Sequence, residues 1–162
     1  VSKLLEHDSM ENVLDRLRRT SRDNARTPMQ WSDEPYAGFS KSNPIQKVIS
    51  NYVQINVKNQ LLDEHSILKS YQKLIHLRRF SEYSDVLIFG QFKLVNELNE
   101  DVFAFDRWNE HKKVRIIANF RPYSVHFDQP DGKIIYSNYE RESSYGHELK
   151  PFEALMIELN ND

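Results

Sequence analysis

Ser21-Arg22-Asp23-Asn24-Ala25-Arg26-Thr27-Pro28-Met29-Gln30-Trp31 gathers two arginines, a carboxylate, two amides and an indole directly after a helical pattern. Such a mixture can recognise a sugar. Arg26 can donate paired hydrogen bonds to hydroxyls or hold a carboxylate in place, and Trp31 can cover the apolar face of a pyranose. The same residues can equally make an Asp–Arg pair and a buried indole that fasten a loop. Local chemistry leaves both readings open.

Upstream, Met10, Val13, Leu14 and Leu17 fall at helical spacing, with Ser9 or Asp8 available as N-cap and Glu11 in the first turn. This predicts an amphipathic helix over about 9–19. Arg16, Arg18, Arg19 and Arg22 collect at its C-terminal end. There the helix dipole favours cations, with phosphate binding as the alternative role. Downstream, residues 21–59 hold Pro28, Pro35, Pro44 and Gly38 with no sustained period, and read as a long irregular segment. Trp31, Tyr36, Phe39 and Tyr52 argue against plain disorder there. Ile67, Leu68, Tyr71, Leu74, Ile75 and Arg78 then repeat at helical spacing behind Asp63 and Glu64, which can cap and charge a first turn, and predict a helix over about 63–80.

After Gly90 the period becomes strand-like. Phe92–Val95, Val102–Phe105, Val114–Ala118, Val125–Phe127, Lys133–Tyr136 and Ala154–Leu159 are short, rich in β-branched and aromatic residues, and separated by turn signals at 96–101, 109–112 and 129–132. They predict an antiparallel sheet or sandwich of about six strands or more, with the boundary near 82 to 90.

The 162 residues are 39% apolar and 28% charged, a globular composition, and the net charge of −2 supplies no field that draws the chain to nucleic acid. No run of about 18 apolar residues marks a membrane span, and the start at Val1 inside a helical pattern reads as a piece of something longer, without a signal peptide. The absence of cysteine excludes thiolate ligands and disulfides and fits a reducing cytoplasm. His7, His65, His76, His111, His126 and His147 are scattered, and no Asp-x-Asp-x-Asp run exists, so the expectation is no metal and no cofactor. Trp108 and Tyr136 could form a sugar platform, although strand aromatics also fill sandwich cores.

The run Arg22–Trp31, followed by Ala37-Gly38-Phe39, resembles a signature of glycoside hydrolase family 13, in the group of oligo-1,6-glucosidases, dextran glucosidases and trehalose-6-phosphate hydrolases. The resemblance continues in family order through Asn51-Tyr52, Ile55-Asn56-Val57, Ser66-Ile67, Tyr71–Ile75, Val102–Phe105, Ile117–Phe120, Ser137-Asn138-Tyr139 and Pro151–Ala154. It implies an α+β fragment: residues 1–82 are the final loop and helices of a (β/α)8 catalytic barrel, and 90–162 a C-terminal antiparallel β-sandwich domain. Where the family has Pro-Trp and Val-Asn-Pro-Asn-Tyr, this chain has Pro44-Ile45 and Val48-Ile49-Ser50-Asn51-Tyr52, which puts the usual substrate subsites in doubt.

Retaining glycoside hydrolysis needs two carboxyl groups about 5–5.5 Å apart. In the family these sit on earlier barrel strands, so no catalytic residue is expected in this chain. The resemblance implies that the full-length parent is a retaining α-glucosidase of short oligosaccharides, isomalto-oligosaccharides foremost, that it is cytoplasmic and monomeric, and that this fragment alone is inert. An Asn-His-Asp run and a barrel should precede Val1. Arg26 is the residue the resemblance brings to the nonreducing-end glucose, with Asp23 as a second candidate that can instead pair with an arginine. Asn24, Gln30 and Trp31 read as loop architecture. The alternative is that the β-domain is an independent carbohydrate-binding or interaction module.

Overall fold

The computed structural model describes residues 9–95, 100–128, 131–141 and 147–160, with only the backbone of Asp23 and Asn24. The described chain forms two compact units, residues 1–68 and 69–162, whose boundary falls in the first turn of a helix.

In the first unit, helix α1 (Met10–Thr20) starts where expected, with the Ser9 side chain accepting from the Asn12 N–H and Arg18 and Arg19 in its last turn. Arg19 pairs with Asp15 one turn back at 2.8 Å. Val13 is buried, whereas Met10, Leu14 and Leu17 are exposed. The long segment that follows is more ordered than its lack of period predicted. It contains 3-10 turns at Arg22–Ala25, Pro35–Gly38 and Ser50–Val53, then a short helix α2 (Val57–Leu62) that no periodicity announced. Helix α3 spans Ile67–Phe80, and the expected cap at Asp63 and Glu64 is corrected. Asp63 ends α2 and its carboxylate accepts from the His65 N–H at 2.9 Å, while the Gln60 side chain accepts from the Leu68 N–H at 3.0 Å and so closes the start of α3.

The second unit is built on an antiparallel sheet in the order β1-β2-β3-β7-β5. Its strands are β1 (Gln91–Leu94), β2 (Val102–Trp108), β3 (Lys113–Asn119), β5 (Gly132–Ser137) and β7 (Ala154–Leu159). Strand alternation gives the sheet two apolar faces. One carries Val102, Ala104, Ile117, Leu155, Ile157 and Leu159, packed with Leu149 from a second, two-stranded ladder of β4 (Val125–His126) and β6 (Glu148–Leu149) and with Phe127 directly after β4. The other carries Val114, Ile116 and Met156 under Tyr83, Val86 and Leu87, the last two from helix α4 (Ser84–Phe89). A bulge at Ile135 shifts the β5 register between Ile134 and Tyr136, and Ile135 joins this second core while Ile134 joins the first.

All six predicted strands are present, and β6 and α4 were not foreseen. The start of the turn read at 96–101 and residues 129–130 of the turn read at 129–132 lie outside the described residues, as does the helical start at 1–8.

Candidate functional site

The Arg22–Trp31 segment leaves α1 through the 3-10 turn at Arg22–Ala25, which begins as soon as the Ser21 N–H has closed the helix on the Leu17 carbonyl at 2.9 Å. Pro28 is buried. Gln30 donates to the Asn51 side chain at 3.0 Å and to the Ile55 carbonyl, so it is loop architecture. The Gln30 and Trp31 carbonyls accept the first two N–H groups of α2, from Val57 and Lys58, at 2.9 and 3.0 Å. Asn56, 2% exposed, is the N-cap of α2: its carbonyl oxygen accepts from the Asn59 N–H and its amide donates to the Tyr52 carbonyl, both at 2.8 Å.

The Ala37-Gly38-Phe39 motif has a backbone explanation. Tyr36, Ala37 and Gly38 all have left-handed φ, at 55°, 60° and 64°. Ala37 is fully buried, and its carbonyl accepts from both Trp31 and Ser32. A Cβ on Gly38 would stand 2.5 Å from the Ser32 Oγ. Trp31 is 51% exposed, which corrects the reading of a buried indole that fastens the loop. The backbone of Trp31 does the fastening and its ring is left at the surface. Asp33 and Lys58 pair at 2.9 Å, and the Lys58 ammonium holds the Asp33 carboxyl below the usual range.

Arg26 is exposed and, among the described residues, its guanidinium makes no hydrogen bond or ion pair. It lines an open cavity of about 420 Å³ with Pro28, Phe39, Asn43, Pro44 and Ile45. Asn43, Pro44 and Ile45 also line a second cavity of about 640 Å³, with Asp33, Tyr36, Lys47 and Tyr52 on its walls. Ile45, where the resemblance expects tryptophan, is fully exposed beside both. Asp23 lies in the 3-10 turn three residues before Arg26, and its side chain is outside the described residues.

In the second unit, the residues that carried the resemblance build a corner rather than a site. The Asn119 amide donates to the Tyr123 and Lys150 carbonyls at 2.8 and 2.9 Å, and Asn138 exchanges hydrogen bonds with the Phe152 carbonyl and the Ala154 N–H. The Glu153 carboxylate, fully buried, accepts from the Lys150 N–H at 2.7 Å and lies 2.7 Å from the Arg141 Nε. Trp108 lines a cavity of about 430 Å³ with Lys93, Asp106, Lys113 and Arg115, where Asp106 and Arg115 are joined bidentately at 2.7 and 2.9 Å.

The scattering of the histidines is also corrected. His126 Nε2 lies 3.3 Å and His147 Nδ1 2.7 Å from the same Asp128 oxygen, and the two imidazoles stack at 5.5 Å. Pairing of β4 with β6 brings together residues far apart in sequence. Strand alternation carried one residue past the reading at Val125–Phe127 would put positions 126 and 128 on one face, and that extension was not made.

Residues 2–85 match the family described as "Alpha amylase, catalytic domain". An α-glucosidase of Candida albicans is 37% identical over 150 residues, covering 90% of this chain and 26% of that protein. An oligo-1,6-glucosidase of Bacillus cereus is 34% identical over 160 residues, covering 94% of this chain and 28% of that protein. The crystal structure of Bacillus licheniformis trehalose-6-phosphate hydrolase superimposes with a TM-score of 0.88 at 30% identity, covering 99% of this chain and 30% of that one. The chain thus spans between a quarter and a third of the length of these relatives.

Proposed function

The chain belongs to the α-amylase catalytic-domain family, within glycoside hydrolase family 13, and from that premise we propose that it is the C-terminal part of a retaining α-glucosidase. Residues 1–82 would close the catalytic barrel and 90–162 form the C-terminal β-sandwich domain. The nucleophile and the acid/base come from barrel strands preceding this chain, so the chain alone does not hydrolyse. Its contribution is to substrate binding, through Arg26 and secondarily Asp23. Short α-linked oligosaccharides, isomalto-oligosaccharides foremost, are the substrates, and the parent acts as a cytoplasmic monomer.

One observation carries the reading: between backbone ties at either end of the loop, Arg26 stands at a cavity wall with its guanidinium making no hydrogen bond or ion pair among the described residues. An exposed guanidinium at a cavity wall can serve a ligand, since its fork can donate to two sugar hydroxyls at once. The test is to express the complete coding sequence and assay isomaltose, maltose, panose and trehalose 6-phosphate side by side. Hydrolysis of isomaltose above the others is expected. No hydrolysis of any α-glucoside overturns the proposal.

The Trp108 cavity favours a second reading, in which the second unit binds carbohydrate by itself, with the indole stacked on a sugar and Lys93 and Lys113 as donors. Titration with isomaltose and longer α-glucans decides it: millimolar binding lost in Trp108→Ala supports this reading, and no binding dismisses it.

A further inference from the structure

We propose that His126, Asp128 and His147 form a binding site for a divalent transition-metal ion, zinc being the one their donor set suits best. The nearest donor atom of each side chain lies within 4.8 Å of the other two. Zinc–nitrogen and zinc–carboxylate bonds of about 2.0–2.2 Å put neighbouring ligands of a tetrahedral ion roughly 3.3 Å apart. The His126–Asp128 separation is already 3.3 Å. His147 Nδ1 lies 2.7 Å from the same Asp128 oxygen, a contact that opens to the ligand spacing when an ion enters.

The backbone that carries the three residues is held independently of any ion. Phe127, between His126 and Asp128, is 5% exposed in the core, and its N–H donates to the His147 carbonyl at 2.8 Å. Val125 pairs with Leu149, which is 1% exposed, and His126 pairs with Glu148. The donors therefore project from anchored positions on the outside of the ladder, with side chains 71%, 80% and 52% exposed for His126, Asp128 and His147. Two imidazoles and one carboxylate, with no thiolate, match the borderline preference of zinc and leave a fourth position for water. Because the β4–β6 ladder is only two residue pairs long, an ion shared by its two strands would staple it. The site is chemically separate from the Arg26 cavity and does not depend on the glycosidase reading.

Isothermal titration of the tag-free full chain with zinc chloride tests it, alongside cobalt(II) absorption as a spectroscopic probe of coordination. One equivalent should bind, with the intense visible bands of a four-coordinate cobalt adduct and a zinc-dependent rise in the thermal midpoint. His126→Ala and His147→Ala should each weaken binding about tenfold or more. Both side chains are exposed, so these variants should fold, and His65→Ala, an exposed histidine in the first unit, should bind like the parent. No binding at millimolar zinc, or a weakening below about tenfold in either cluster variant, overturns the site.

Discussion

Arg26 and Gly38 sit in the same loop and answer to different demands. Arg26 makes no side-chain bond among the described residues, so Arg26→Ala should leave unfolding free energy within about 0.5 kcal/mol of the parent. In the full-length enzyme the same change should lower kcat/KM about 100-fold, the order of a lost charged hydrogen-bonding group at a sugar, as measured by steady-state hydrolysis of isomaltose. Gly38→Ala should do the reverse. With φ at 64° and a new Cβ against the Ser32 Oγ, it should cost about 1–2 kcal/mol in a denaturant titration. Residue types alone left the segment open between a sugar site and a fastened loop, and only its likeness to a family signature favoured the first. The exposure of Trp31 was not legible, because composition says nothing about whether a ring or its backbone does the holding, and the left-handed run at Tyr36–Gly38 showed in the sequence only through its glycine.

Among the elements, strands were read well because short runs of β-branched and aromatic residues lay between clear turn signals. Helices α2 and α4 were missed for a physical reason: six residues are too few to show a helical period, and both are held from outside. Arg107 donates to the Val86, Ile88 and Gly90 carbonyls and Arg78 to that of Leu87, so two guanidinium groups satisfy the C-terminal end of α4. The corner before β7 rests on the buried Glu153 carboxylate, and Glu153→Ala should cost about 3 kcal/mol by urea unfolding because the largely covered Arg141 loses its counter-charge and the Lys150 N–H its acceptor. A second network gives a pH dependence. The Tyr83 hydroxyl donates to Glu158 at 2.7 Å and Lys112 pairs with the same carboxylate at 3.0 Å, which together hold Glu158 below its ordinary range. Burial, then the Glu158 bond, raises Tyr83. A carboxyl depressed in the folded state stabilises fully above its unfolded value of about 4.3 and loses that contribution as pH falls through the folded one; a raised tyrosine stabilises below about 10 and loses it above. Stability measured against pH should therefore plateau between these limits, and Glu158→Gln should flatten the acid limb.

For the whole molecule, the two helices whose periodicity was legible in the sequence leave their apolar stripes uncovered. Ile67, Tyr71 and Ile75 fall along one side of α3 and are 72%, 64% and 51% exposed, and Met10, Leu14 and Leu17 form a similar bare stripe on α1. Each such side chain gains about 1.5–3 kcal/mol on full burial, so these stripes are faces for something to cover. On the proposed reading they meet the earlier barrel, and the periodicity that made the helices legible belongs to a core this chain does not complete. The most direct measurement follows hydrolysis of p-nitrophenyl α-glucopyranoside, whose single glucose comes from the cleaved bond, by NMR, with the 162-residue chain and the complete coding-sequence product compared under the same conditions. The account predicts no hydrolysis by the chain, and hydrolysis by the complete product with α-glucose appearing before the β-anomer. Hydrolysis by the chain alone, or β-glucose released first by the complete product, would contradict it.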